Sequence, residues 1–268
     1  MLKNKTCLLQ SIILLMFLIG IFGCSNKLFT DKTVTNSLDL YLLVGQSNMA
    51  GRGILTEEFK SGGDSMVMML DKENKWVPAK HPLHFDKVTV AGVGPGLTFG
   101  IEMAKNNPGH KIGLIPCAVG GTSIASWQPG AYDTATQTHP YDDAVKRLQS
   151  AMPAGRLKGV IWLQGEADAN PGKVETYLEK LVVLINRFRK IAGNKQLPFV
   201  AGELGTFKER YQVFNLQLDQ LPGRLPHTAV AVSNGLTDKG DQTHFDAASA
   251  TVYGKRFAEK MISLLQDR

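Results

Sequence analysis

Short runs of Val, Ile and Leu recur along the chain, at 38–44, 66–70, 111–117, 157–163, 197–202 and 228–232. Each is apolar at successive positions rather than alternate ones. Such a strand must be covered on both faces, which marks a buried parallel sheet. Between these runs the period changes. "GLTFGIEMAKN" follows Gly94-Pro95 and stops before Pro108, and "YDDAVKRLQSAM" begins after Pro140. "VETYLEKLVVLINRFRKIAG" places Val174, Leu178, Leu181, Val182, Ile185 and Phe188 on one stripe and ends at Gly193. "FKERYQVFNLQLDQL" stops at Pro222, and "AASATVYGKRFAEKMISLL" closes the chain. Alternating strands and helices predict an α/β fold, a three-layer α/β/α sandwich around a central parallel sheet.

The first residues carry a different pattern. Lys3 and Lys5 precede "CLLQSIILLMFLIGIFG", and Cys24 stands where the apolar run ends. This reads as a signal peptide over residues 1–23, followed by a tether over 24–37 and the folded domain over 38–268. "IFGC" resembles a bacterial lipobox, which makes Cys24 the lipidated residue and Phe22 the one bulky departure. An uncleaved membrane anchor is the other reading of this run. Either way the domain is expected to be exported and tethered to a membrane, with a bacterial cell-envelope lipoprotein as the preferred form.

Composition narrows the class further. The 268 residues are 43% hydrophobic and 20% charged, with a net charge of +6. The basic residues are scattered, and "RFRK" at 187–190 is the densest run, so it reads as a solvated helix face and no nucleic-acid partner is expected. There are three cysteines. With Cys7 in the leader and Cys24 lipidated, Cys117 is alone at a strand end and reads as a buried structural thiol.

In doubly wound sheets, chemistry gathers at the carboxyl ends of the strands. Here those ends carry "GQSNM" at 45–49, "CAVGGTSIASW" at 117–127, "WLQGEAD" at 162–168 and, near the end of the chain, "NGLTDKGDQTHFD" at 234–246. They offer a serine, a glycine pair, a Gln/Glu/Asp group and an Asp-x-x-His. Singly, each has an ordinary explanation: a turn or helix cap for Ser47, a tight turn for Gly120-Gly121, a surface position for His244. Together they are the parts of acyl transfer: a nucleophile, amide donors for an oxyanion, and a base with its orienting acid. The G-x-S-x-G elbow is absent, because Met49 stands where its second glycine would be. His81, His84, His110, His139 and His227 show no metal-ligand spacing, and neither metal nor cofactor is expected.

A serine at the first strand with Asp-x-x-His near the last helix resembles the SGNH hydrolase superfamily. "GQSNMAGRG", "GPGLTFG", "AVGGTSIASW", "WLQGEAD" and "DQTHFD" resemble its sialate O-acetylesterase group, and closest of all carbohydrate esterase family six, the short acetyl xylan esterases. The resemblance implies a flavodoxin-like fold and metal-free deacetylation of sugars, with acetylated xylan or its oligosaccharides as leading substrates. Sialate or other glycan deacetylation is the rival within the class, and a non-catalytic glycan-binding lipoprotein the rival outside it. Ser47 is carried over as nucleophile, His244 as base and Asp241 as its acid. The oxyanion donors implied are the Ser47 amide, a Gly120 or Gly121 amide, and a side chain from the fourth strand end. The superfamily uses Asn in that last role; this chain offers Gln164. Glu166 is left open between a second acid for His244 and an orienter of Gln46 or Asn48. Arg52 is expected in an ion pair near the site, with a carboxylate such as Glu166, in preference to a place on a helix surface, and Trp127 as a sugar-stacking wall or a core residue.

Overall fold

A computed structural model describes residues 37–266. The expected signal peptide, Cys24 and most of the expected tether lie outside the described residues.

The first strand shows why the sheet is central. β1 (Leu38–Gly45) is buried along its whole length. Leu40, Leu42 and Val44 enter one core cluster, and Tyr41 and Leu43 enter a second on the opposite face. β5 (Gly155–Leu163) divides in the same way, with Val160 and Trp162 on one side and Ile161 and Leu163 on the other. These strands pair in parallel, and β4 (Ile112–Pro116) pairs in parallel with the other edge of β1. β2 (Val67–Leu70), β6 (Phe199–Gly202) and β7 (Thr228–Ala231) complete the parallel part. A short β3 (Trp76–Pro78) turns back against β2 as the single antiparallel strand pair of the sheet among the described residues. It has three residues and alternates weakly, so it lacked the long apolar run by which the other strands were predicted.

The order across the sheet is β3-β2-β4-β1-β5-β6-β7. The three-layer plan is the one expected. The flavodoxin order places the second strand beside the first, whereas here β4 lies between them. From β1 the chain builds one side through β2 and β4, then crosses to β5 on the other. The reversal falls at β1, so the crevice between strand ends opens there. Register brings the ends level: Leu43 pairs with Pro116 and Gly45 with Leu163.

Helices cover both faces. α3 (Gly96–Asn106) and the C-terminal α8 (Ala247–Gln266) bury Phe99, Tyr253 and Phe257 against one side. α4 (Pro140–Ala151), α5 (Val174–Ile191) and α6 (Glu209–Leu218) bury Tyr141, Tyr177, Phe188 and Phe214 against the other. Three one-turn helices, α1 (Ser47–Ala50), α2 (Glu57–Lys60) and α7 (Leu221–Arg224), were too short to show a period. "RFRK" is only partly a solvated face. Arg189 is buried, and its guanidinium donates to the carbonyls of Leu197, Pro226 and His227, tying α5 to the segments that enter β6 and β7. Cys117 is a free buried thiol just past β4, pushed up to about 11 by burial.

Candidate active site

β1 ends where only glycine fits. Gly45 has φ +133°, and a Cβ there would come within 2.1 Å of the Leu163 carbonyl oxygen. The close approach to β5 turns the chain sharply, Gln46 N–H donates to Leu163 O, and α1 begins at Ser47. Ser47 is 7% exposed. Its own N–H belongs to the first turn of α1, where no intrahelical acceptor exists.

The last strand end delivers the partner. Ser47 Oγ lies 2.9 Å from His244 Nε2, although 197 positions separate them in sequence. His244 Nδ1 lies 2.7 Å from Asp241 Oδ2. An ionised carboxylate only accepts, so Nδ1 carries the ring hydrogen and Nε2 is left to accept from Ser47. Asp241 Oδ1 also receives the backbone N–H groups of His244 at 2.8 Å and Thr243 at 3.0 Å. Partial burial alone would raise this carboxyl. The bonds and charge of His244, with the Thr243 amide, outweigh burial and hold it down at about 2. The arrangement can pass a proton from hydroxyl to imidazole while the acid keeps the tautomer and offsets the ring's charge.

Beneath these groups runs a buried polar network. Asn48 Nδ2 donates to the Thr243 carbonyl at 2.9 Å and to Glu166 Oε1, and its Oδ1 accepts from Phe245 N–H at 3.1 Å. The residues on either side of His244 are therefore gripped by the residue after Ser47. Glu166 orients Asn48 and makes no hydrogen bond to His244. Burial raises the Glu166 carboxyl, against the bonds it receives from its own N–H, Asn48 and the Gly165 N–H. Gln46 Oε1 accepts from Gln164 Nε2 at 3.2 Å and from Gly165 N–H at 3.4 Å, which fastens β1 to β5 below the serine.

The expectation for Gln164 needs correction. Its Nε2 donates to Asp168 Oδ2 at 2.6 Å, to the Thr122 carbonyl at 3.1 Å and to Gln46, and the side chain is fully buried. Two hydrogens already face three acceptors, so none remains for an oxyanion. For Trp127 the core alternative holds and the sugar wall does not: 1% exposed, it packs edge-on against Trp162 at 5.1 Å and donates to Thr122 Oγ1.

Arg52 does form an ion pair near the site, but its partner is Asp86 at 2.6 Å rather than Glu166. Both side chains are almost wholly buried. The same Asp86 oxygen accepts the Gly120 N–H at 2.8 Å. Of the two glycine amides expected to serve an oxyanion, Gly120's is thus engaged. Gly121, with φ +94°, keeps an amide that makes no hydrogen bond among the described residues. Sequence reasoning gave Asp86 and Asp168 no role. Asp168 sat inside the quoted "WLQGEAD" block, whereas Asp86 lies in the loop "HFDKV", which has no motif to mark it. A cavity of about 400 Å³ opens beside this turn, bordered by Lys87, Val119, Thr136, Thr138, Asp143 and Arg147, among others.

Comparison with known proteins agrees with the fold. A probable carbohydrate esterase of Arabidopsis thaliana, At4g34215, is 28% identical over 243 residues, covering 84% of this chain and 90% of its own. The crystal structure of that protein superimposes with a TM-score of 0.75, over 85% of this chain and 98% of its own. NanS superimposes with a TM-score of 0.69 at 18% identity, over 87% of this chain and 99% of its own. XAC1771, a carbohydrate acetylesterase from Xanthomonas citri, gives 0.67 at 21% identity, over 86% of this chain and 57% of its own. At these identities the last two speak for the fold alone. Residues 37–263 match the family model for carbohydrate esterases described as sialic acid-specific acetylesterases. The chain therefore belongs to the carbohydrate esterase family of sialic acid-specific acetylesterases.

Proposed function

We propose that this member is a metal-independent serine esterase that removes O-acetyl groups from a glycan, working through Ser47, His244 and Asp241. The observation that carries the reading is the unbroken chain from Ser47 Oγ through both ring nitrogens to Asp241, at 2.9 and 2.7 Å. His244 takes the hydroxyl proton as Ser47 Oγ attacks the acetyl carbonyl. The resulting oxyanion is met by the Ser47 and Gly121 amides. The protonated imidazole then returns its proton to the departing sugar oxygen, leaving acetyl on Ser47. Water, deprotonated by His244, attacks this ester, and acetate leaves as Ser47 recovers its proton. Losing one oxyanion donor costs such enzymes about 3 kcal/mol.

The sequence blocks support placement in the SGNH superfamily near the short acetyl xylan esterases. Acetylated xylan or its oligosaccharides are accordingly the first substrates to test. The family description supports sialate esters as the second. The apolar leader ending at Cys24 supports an exported, lipid-anchored form. Replacing Cys24 with Ala should abolish incorporation of radiolabelled palmitate and release the protein from membranes; unchanged labelling would remove the anchor from the proposal.

The central test is p-nitrophenyl acetate turnover by the wild-type chain and Ser47→Ala. The expected loss is on the order of 10⁴-fold or more. Equal turnover would leave the non-catalytic glycan-binding reading standing. Acetate release from a panel of acetylated xylan, sialate and other glycans then ranks the substrates.

A further inference from the structure

We propose that Asp86 is a positioning residue for the oxyanion turn, with Arg52 as its counter-ion. The inference rests on the esterase reading of Ser47.

The geometry joins three segments at one carboxylate oxygen. Asp86 Oδ2 accepts from Arg52 Nη2 at 2.6 Å and from Gly120 N–H at 2.8 Å. Arg52 comes from the chain just past Ser47, and its Nη1 also donates to the Gly51 carbonyl at 2.8 Å. The loop bearing Asp86, the turn after β4 and the nucleophile turn therefore share one buried node. Gly120 is pressed onto that node. A Cβ at this position would lie 2.5 Å from Arg52 Nη2, 2.9 Å from Asp86 Oδ2 and 3.4 Å from Ser47 Cβ. No side chain fits between the ion pair and the serine.

This packing has a chemical consequence. Asp86 fixes the Gly120 amide, and the peptide that follows it bears the Gly121 N–H. An acetyl oxyanion requires that donor to be in place before the reaction, since an amide that must reorient during attack loses most of its value. A carboxylate suits the task because a charge-assisted bond holds a backbone amide more firmly than a neutral acceptor does. Arg52 is needed because a lone buried carboxylate is strongly disfavoured. The pair costs desolvation wherever it sits. Here only Gly120 separates it from the serine, where rigidity has a chemical use.

The test compares full-length variants on p-nitrophenyl acetate. Asp86→Ala removes the acceptor, and kcat should fall about 100-fold with KM within about twofold. The acidic limb of the pH–rate profile should stay where it is in the wild type, because His244 and Asp241 are untouched. Asp86→Asn keeps a carbonyl oxygen for Gly120 and should retain activity within about tenfold. Should Asp86→Ala fail to fold with Arg52 unpaired, the double variant Arg52→Leu/Asp86→Leu removes both buried charges. Its melting temperature should recover while its kcat stays about 100-fold low. A folded variant without the acceptor, and with kcat within threefold of the wild type, would overturn the inference. So would a loss confined to KM, a displaced acidic limb, or recovery of kcat in the double variant. Absence of Ser47-dependent turnover in the wild-type chain would overturn the esterase reading instead, and this inference with it.

Discussion

Ser47 and His244 meet at 2.9 Å from unlike surroundings. The nucleophile turn is part of the core: Gln46, Ser47, Asn48, Met49, Ala50 and Arg52 are all buried. It is fastened by Gly45 against Leu163, by Gln46 to Gln164 and by Arg52 to Asp86. The acid–base segment is a solvent-facing turn, with Asp241 38% exposed and Gln242 in the left-handed region at φ +54°. Few apolar contacts can hold such a turn. It is held at its base instead. Phe245 is buried, Lys239 N–H donates to the His244 carbonyl at 2.9 Å, and Asn48 grips Thr243 and Phe245. A partly exposed base can thus be placed to hydrogen-bond accuracy without being fully buried, provided its neighbours are anchored in something that is. Access for a large sugar and precision for a proton transfer become compatible.

The largest test of this contrast is the base itself. His244→Ala should lower kcat on p-nitrophenyl acetate by about 10⁴-fold while leaving the thermal unfolding midpoint within a few degrees, because the ring is half-buried on a solvent-facing turn and outside the core. A large drop in melting temperature would mean that this segment is structural after all. The next effect tests the grip. Asn48→Ala takes one donor from the Glu166 carboxyl, leaves the Phe245 amide unpaired and frees the turn. We expect about 10–100-fold in kcat and about 1–3 kcal/mol in urea-measured stability. Loss of stability alone would show that Phe245 suffices as anchor.

Glu166→Gln should do much less. The amide oxygen can still accept from Asn48, and the variant removes a carboxyl whose charged form burial disfavours. Activity within about threefold and unchanged or higher stability are expected; a 100-fold loss would return Glu166 to a direct role beside His244.

The last effect leaves activity at neutral pH untouched and appears only on acidification. Burial lowers His84 to about 3 and His81 to about 4, from 6.5. The unfolded chain takes up these protons at higher pH than the folded one. The stability these rings contribute is therefore complete above pH 6.5 and declines as pH falls towards their folded values, by at most about 1.4 kcal/mol per pH unit for each ring. Asp241 behaves differently. Lowered from 3.8 to about 2, its contribution persists until pH falls below 3.8 and is gone below about 2. Urea unfolding between pH 7 and 4.5 should show the histidine slope, and His84→Gln should flatten it; an unchanged slope would assign the acid sensitivity elsewhere.

Much of this was legible in the sequence because it depends on local pattern. Apolar runs without alternation marked the six parallel strands, and helix periods marked the long helices, with α3 read to the residue. Strand ends then pointed to Ser47, Gly120, Gly121, Gln164, Glu166 and the Asp241–His244 turn, since a parallel sheet gathers those ends on one edge. The residues misread, missed or left between two readings are those whose role depends on a partner far along the chain. Gln164 can donate an amide, but whether to an oxyanion or to Asp168 is fixed by which acceptors packing brings near it. Trp127 suits a sugar or a core equally, and the ring of Trp162 settles it. Arg52 required a carboxylate, and the one 34 positions away was set against it by a loop with no signature. Periodicity and residue type fix what a segment can form and which chemistry a side chain can perform; the pairing of buried polar groups is decided only when the strands stack, because each bond is then chosen from whatever donors and acceptors lost their water together.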